Sequence, residues 1–183
     1  IPVKFVSHPA EKTYRLVERG MIDAELYRVS GLSKEFPHLL KIPYKLLDFG
    51  LYSYSVAKDP NHLSLNNSSS LKVGVLSDYY IIDKIFKSNH FYKKKTLTAL
   101  LSGLVTSEYD YILLSNYALP KIKYLEKKYN KKIFKRSKMP LINEGVYHYI
   151  HIKHKSISKK LTESLRTIKV TKDNYPHIFF ARQ

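Results

Sequence analysis

Two stretches of this chain carry one pattern, and that repetition limits the fold more than any other feature. In LVERGMIDAEL (Leu16–Leu26) and LLSGLVTSEYDYILL (Leu100–Leu114), a helical apolar segment meets a glycine. The chain then enters a strand headed by an aspartate, Asp23 or Asp110. Glycine after helical periodicity is a common way to end a helix, because a residue without a Cβ takes the left-handed turn at low cost. Helix, turn and strand, found twice, predict two α/β units rather than a helical bundle or a sandwich.

The rest of the chain extends this plan. Val3 to Val6 reads as a short strand, and Glu11 to Arg19 as a helix with Tyr14, Leu16 and Val17 near its core face, closed by Gly20. Met21 to Val29 alternates as a strand, with Asp23 at its entry and Arg28 near its carboxyl end. Pro37 and Pro43 frame a further extended piece, and Leu46 to Val56 (LLDFGLYSYSV) is a strand long enough to cross between subdomains. Ala57 to Ser70 concentrates Asp, Asn, Ser and Pro, whose side chains compete with backbone pairing, so it is a connecting loop.

A second unit follows, with Leu71 to Leu76 as a buried strand, Tyr79 to Phe86 and Lys93 to Leu104 as helices, and Tyr109 to Leu114 as the next strand. Ile122, Leu125, Tyr129 and Ile133 stripe a basic helix, and Gly145 to Lys153 is a second long strand returning to the first half. Ile157, Leu161, Leu165 and Ile168 mark a closing amphipathic helix. The expectation is an α/β fold with parallel-dominated sheets and two crossings. Lobe 1 comprises residues 1–56 and 147–183, lobe 2 comprises residues 57–146, and a functional cleft separates them.

Composition narrows the function. The 183 residues suit one domain or two small lobes, and no apolar run approaches the ~18 residues that span a bilayer. With no cysteine, disulfide scaffolds, thiol catalysis and Cys-ligated zinc are excluded. The net charge of +17 is concentrated: residues 121 to 138 hold nine basic groups against Glu126, and residues 153 to 172 hold seven against Glu163. Most of these are lysines and there is no tryptophan, whereas sequence-specific nucleic-acid readers use arginine forks and stacked aromatics. Solvated basic faces are the first reading, with a basic nucleic-acid or anionic-surface binding protein as the alternative function.

Five segments in order, Pro9 to Val29, Phe36 to Leu46, Leu71 to Tyr80, Leu97 to Asn116 and Gly145 to Ile168, carry a further resemblance. Their sequence of helix, glycine, Asp-headed strand, proline-framed approach and return strand resembles the bacterial extracellular solute-binding proteins of family 3. These are the type 2 periplasmic binding proteins that serve amino-acid ABC transporters. The resemblance implies a periplasmic-binding-protein-like II fold that captures a small polar solute, an amino acid or related compound, between two lobes for transport or sensing. It also implies a periplasmic monomer whose partner is a membrane permease or sensor, with no cofactor and no nucleic acid. The family's domain begins one βα unit earlier, so a chain that opens at Ile1, with no initiator Met and no signal peptide, is expected to be N-terminally truncated, with an incomplete lobe 1.

The resemblance also places the candidate ligand set of Arg28, Tyr54, Asp78, Tyr79, Ser115, Asn116 and Tyr147. Arg28 falls near the family's arginine, whose planar fork pairs a ligand carboxylate; the alternative is a salt bridge to Asp23 or Glu25. Ser77 to Tyr80 follow a strand and open a helix, but where the family has glycine then Ser or Thr this chain has Asp78 and Tyr79. Asp78 there either caps the helix or repels a carboxylate. The aspartate that holds a ligand ammonium in amino-acid binders is matched by Ser115, followed by Asn116, which favours a neutral or differently charged solute. Tyr52, Tyr54, Tyr147 and Tyr149 lie on the crossing strands, where alternate ones line a cleft and the others fill the core. His148, His151 and His154 cannot converge on one metal from a straight strand. No G-x-S-x-G, H-E-x-x-H or phosphate-binding glycine loop is present, so nothing in the sequence points to an enzyme.

Overall fold

The computed structural model describes residues 3–8, 10–77, 80–86, 91–128 and 133–168. In chain order the elements are α1 (Ala10–Glu18), β1 (Ala24–Val29), β2 (Leu39–Ser55), β3 (Val73–Leu76), α2 (Tyr80–Ile85), β4 (Tyr92–Lys94), α3 (Leu97–Val105), β5 (Tyr111–Ser115), α4 (Leu119–Lys128), β6 (Lys135–Arg136), β7 (Ile142–His151) and α5 (Ser158–Thr167). Two compact units divide them: unit 1 holds the described residues up to Leu47 and from Gly145 onward, and unit 2 holds Asp48 to Glu144. The strands β2 and β7 each continue from one unit into the other. The division falls earlier in β2 than residue 56 because the second half of that strand already pairs with β5.

In unit 1, β1 is antiparallel to β7, with Arg28 opposite Tyr147, and β7 neighbours β2. The core below gathers Ile42 of β2, Ile150 of β7 and Leu165 of α5, with Leu161 packed against them, so the apolar stripe of α5 faces the sheet as its spacing predicts. Val3 to Val6, expected as a strand, has no regular structure, and Val3, Phe5 and Val6 are exposed. A strand exists by pairing, and this segment makes no ladder.

In unit 2, β3 lies between β5 and β4 and is parallel to both, whereas β2 pairs antiparallel with β5 and with β6. The fold is thus a mixed α/β sheet, parallel where helices connect the strands and antiparallel where the long strands take part. Every residue of β5 is buried, as expected for a strand flanked on both edges. Leu100, Leu101 and Leu104 of α3 pack on Tyr109, Ile112 and Leu114, and Ile122 of α4 closes the cluster.

Two expectations in unit 2 are corrected. Lys93 belongs to the short strand β4 rather than to a helix; α3 begins later because the Thr96 hydroxyl accepts a hydrogen bond from the Ala99 amide at 3.1 Å, a helix cap. Gly103 lies inside α3, which runs to Val105, within a residue of the expected end at Leu104. A Cβ on Gly103 or on Gly74 of β3 would collide with the ring of Tyr109, so these two glycines make room for one buried tyrosine. In α4 the stripe ends before Ile133, which lies past the helix yet packs on the same cluster as Leu125; Tyr129 lies outside the described residues.

Candidate functional site

Arg28 sits near the end of β1, which among the described residues is an outer strand with β7 beside it. Its guanidinium contacts the Glu25 carboxylate at 2.7 Å, and it donates to the Thr13 hydroxyl at 2.8 Å and to the Tyr27 carbonyl at 2.8 Å. Glu25 is buried among these groups, and burial pulls the Arg28 guanidinium below the usual arginine value while Glu25 opposes that shift. Of the two alternative partners, it is Glu25 that Arg28 meets; Asp23 is bound elsewhere. The Arg28 side chain remains 21% exposed.

Arg28 and Tyr147 are opposite in the β1–β7 ladder, so the structure brings these two candidates together on one face. The ammonium of Lys41 lies 4.4 Å from the centre of the Tyr147 ring, a cation–π contact. Next to Tyr147, His148 is largely enclosed, its ring stacked 6.4 Å from that of Tyr27, and burial lowers its pKa.

In unit 2, Ser115 is the buried last residue of β5, opposite Leu51 of β2. Asn116 follows it as a bracket: its amide oxygen accepts from the Gly50 N–H at 3.0 Å, and its amide nitrogen donates to the Asp48 carbonyl at 3.1 Å. Tyr117 donates to the same Asp48 carbonyl at 3.0 Å. Tyr54 is corrected from a cleft wall to a core residue. It is 1% exposed within the α3–β5 cluster, while Tyr52, two residues earlier on the same face of the strand, packs at the margin of that cluster, is only partly buried and carries the Arg136 guanidinium 4.4 Å above its ring. Tyr149 is likewise core, its hydroxyl donating to the Val29 carbonyl at 3.0 Å. Asp78 and Tyr79 lie outside the described residues.

No protein-family model matches the sequence, and no curated protein matches it. Solved structures do. The ligand-binding core of GluR0 in complex with L-glutamate matches with a TM-score of 0.70 at 13% identity, over 92% of this chain and 74% of that one. An ancestral arginine-binding protein bound to glutamine matches with a TM-score of 0.69 at 15% identity, over 100% of this chain and 81% of that one. An ABC uptake transporter substrate-binding protein from Streptococcus pneumoniae with bound histidine matches with a TM-score of 0.67 at 11% identity, over 100% and 77%. The chain has the fold of amino-acid-binding proteins.

Within that fold, sequence reasoning missed a second group of polar residues in unit 1. A concavity of about 700 Å³ is lined by Glu18, Arg19, His38, His151, Ile152 and Lys153. Glu18 holds His38 at both its ring, 2.9 Å, and its backbone N–H, 3.1 Å. Asp23 takes Lys153 at 2.9 Å and His154 at 2.7 Å, and these two hold its carboxyl down to about 2. Because the folded value lies below the ordinary 3.8, this contact stabilises the fold above that pH and is lost as the pH falls towards 2. The three histidines of the return strand separate: His148 faces Tyr27, His151 accepts from the Lys153 N–H, and His154 lies beyond the strand in a 3-10 turn against Asp23. Only the clustering of His and charged residues around His151 and Lys153 hinted at this group; His38 and Glu18 are too distant in sequence to be linked to it.

Proposed function

We propose that this chain is a solute-binding protein that captures a small polar molecule, an amino acid or related compound, outside the cytoplasmic membrane. It would hand the solute to a membrane permease or report it to a sensor. The observation that carries this reading is the shared fold with proteins solved holding glutamate, glutamine and histidine, over nearly all of this chain. Arg28 with Tyr147 supports it: a partly exposed guanidinium beside an aromatic ring suits a carboxylate-bearing solute. Ser115 and Asn116 offer no carboxylate for an ammonium group, which favours a solute whose cationic end is held elsewhere or is lacking.

A thermal-shift screen against amino acids, organic acids, polyamines and short peptides tests the reading, since a ligand at 100 times its Kd adds ~2.7 kcal/mol to stability. A salt-tolerant rise with one chemical class is expected, and no rise with any compound would overturn the reading. With the ligand in hand, Arg28→Lys keeps a cation beside Glu25 but removes the bidentate fork, and should weaken binding about tenfold. Unchanged affinity would assign Arg28 to Glu25 alone.

A further inference from the structure

The cations of unit 2 fall into two sets. Lys58 meets Asp110 at 3.0 Å and Lys94 meets Glu108 at 2.7 Å, so these two lysines are neutralised locally. Among the described residues, no ion pair involves Lys121, Lys123, Lys127, Lys135, Arg136 or Lys138. The single carboxylate of that stretch, Glu126, is turned to the backbone, accepting from the Ile133 and Phe134 N–H groups at 3.2 and 3.1 Å. With Ile122 and Leu125 packed inward, Lys123, Tyr124 and Lys127 share the outward side of the helix.

The kind of partner follows from which groups are left over. Arg136, stacked over the Tyr52 ring, is the one arginine of the stretch, so directional phosphate or base recognition would rest on a single guanidinium fork. What remains are lysine point charges together with exposed apolar tips: Tyr124 is 57% and Met139 75% exposed. Lys138 and Met139 also border a groove of about 500 Å³ with Leu63, Leu65 and Leu141 on its walls. Diffuse positive charge interleaved with exposed apolar groups matches an anionic bilayer, where the surface potential attracts lysines and the interface accepts tyrosine and methionine. We propose that unit 2 docks on an anionic lipid surface through α4 and residues 133–139. This goes beyond solute capture and does not depend on it.

Flotation with vesicles of phosphatidylcholine alone, and of phosphatidylcholine mixed with phosphatidylglycerol, tests the proposal with the chain as it stands. Capture by the mixed vesicles only is expected, and it should fall as salt rises. The glutamine triple Lys123→Gln, Lys127→Gln and Lys138→Gln should bind them about 100-fold more weakly and the matching glutamate triple more weakly still, the glutamine form keeping the test usable if charge reversal unfolds the chain. A control triple in the other basic segment, Lys155→Glu, Lys159→Glu and Lys160→Glu, should stay within about threefold of the parent. Equal capture by both vesicle types, unchanged capture of both α4 triples, or an equal loss in the control would overturn the proposal. So would retention on duplex DNA with none on the mixed vesicles.

Discussion

The two helix–turn–strand segments share a pattern of residues but lay it on the backbone in different registers. In unit 1, Gly20 sits at φ +68° just after α1, its N–H bonded to the Val17 carbonyl at 2.8 Å and the Met21 N–H to the Leu16 carbonyl at 2.9 Å. That pair of bonds is the Schellman closure of a helix. In unit 2 the same two bonds run from Ser107 to Leu104 at 3.3 Å and from Glu108 to Gly103 at 2.9 Å, and it is Ser107 that stands at φ 60°. Gly20 precedes Asp23 by the same interval as Ser107 precedes Asp110. The counterpart of Gly20 is therefore Ser107, and Gly103 serves packing. Backbone conformation and the aspartate align the two segments, whereas matching glycine to glycine puts them out of step by just over one helical turn.

Gly103→Ala gives the largest effect that separates these roles. A solvent-facing glycine inside a helix would gain stability on becoming alanine, by ~1 kcal/mol. Here the added Cβ would fall on the hydroxyl and ring of Tyr109. That ring has no room to retreat: it is buried, its hydroxyl donates to the Leu100 carbonyl, and Gly74 lies against it as well. Overpacking should cost about 2 kcal/mol in a urea melt. A gain instead would return Gly103 to the role of a plain helix glycine.

Gly20→Ala should cost less, about 1 kcal/mol, and for a different reason. The new Cβ has space, 3.4 Å from the His151 ring, so the penalty is that of the left-handed backbone alone. Equal losses at the two glycines, compared by thermal melts of the same chain, would break the distinction between a packing glycine and a turn glycine.

What the residues made legible was periodic. The stripe of α5, the buried run of β5 and the long tyrosine-bearing strands all follow from side-chain spacing, because spacing decides which face meets the core. What they concealed depends on groups brought together from afar. Nothing near Ser107 marks it for a left-handed turn, and β4 is a strand only because β3 lies beside it. Alternation puts Tyr52 and Tyr54 on one face of β2, yet Tyr54 is buried at the centre of the cluster and Tyr52 only partly covered at its margin, because position along the strand as well as face decides burial. At the candidate site, Glu25 could be named as a partner of Arg28 because both lie on one short strand. Thr13, on α1, and the bracket made by Asn116 could not.

The smallest effect tests the alignment most directly. Ser107 is exposed and holds the left-handed conformation that Gly20 holds in unit 1, so Ser107→Gly removes no packing and leaves both closing hydrogen bonds in place. Relief of the Cβ–carbonyl crowding is worth ~1 kcal/mol, while the greater freedom of glycine in the unfolded chain takes back about half of that. A net gain of about 0.5 kcal/mol is expected, read as a rise in the urea midpoint with an unchanged slope. Its sign is opposite to that of Gly20→Ala, as it must be if the two positions are one site in two copies. A loss of stability at Ser107→Gly would mean that the serine side chain itself holds the turn, and the two closures would then be alike in backbone only.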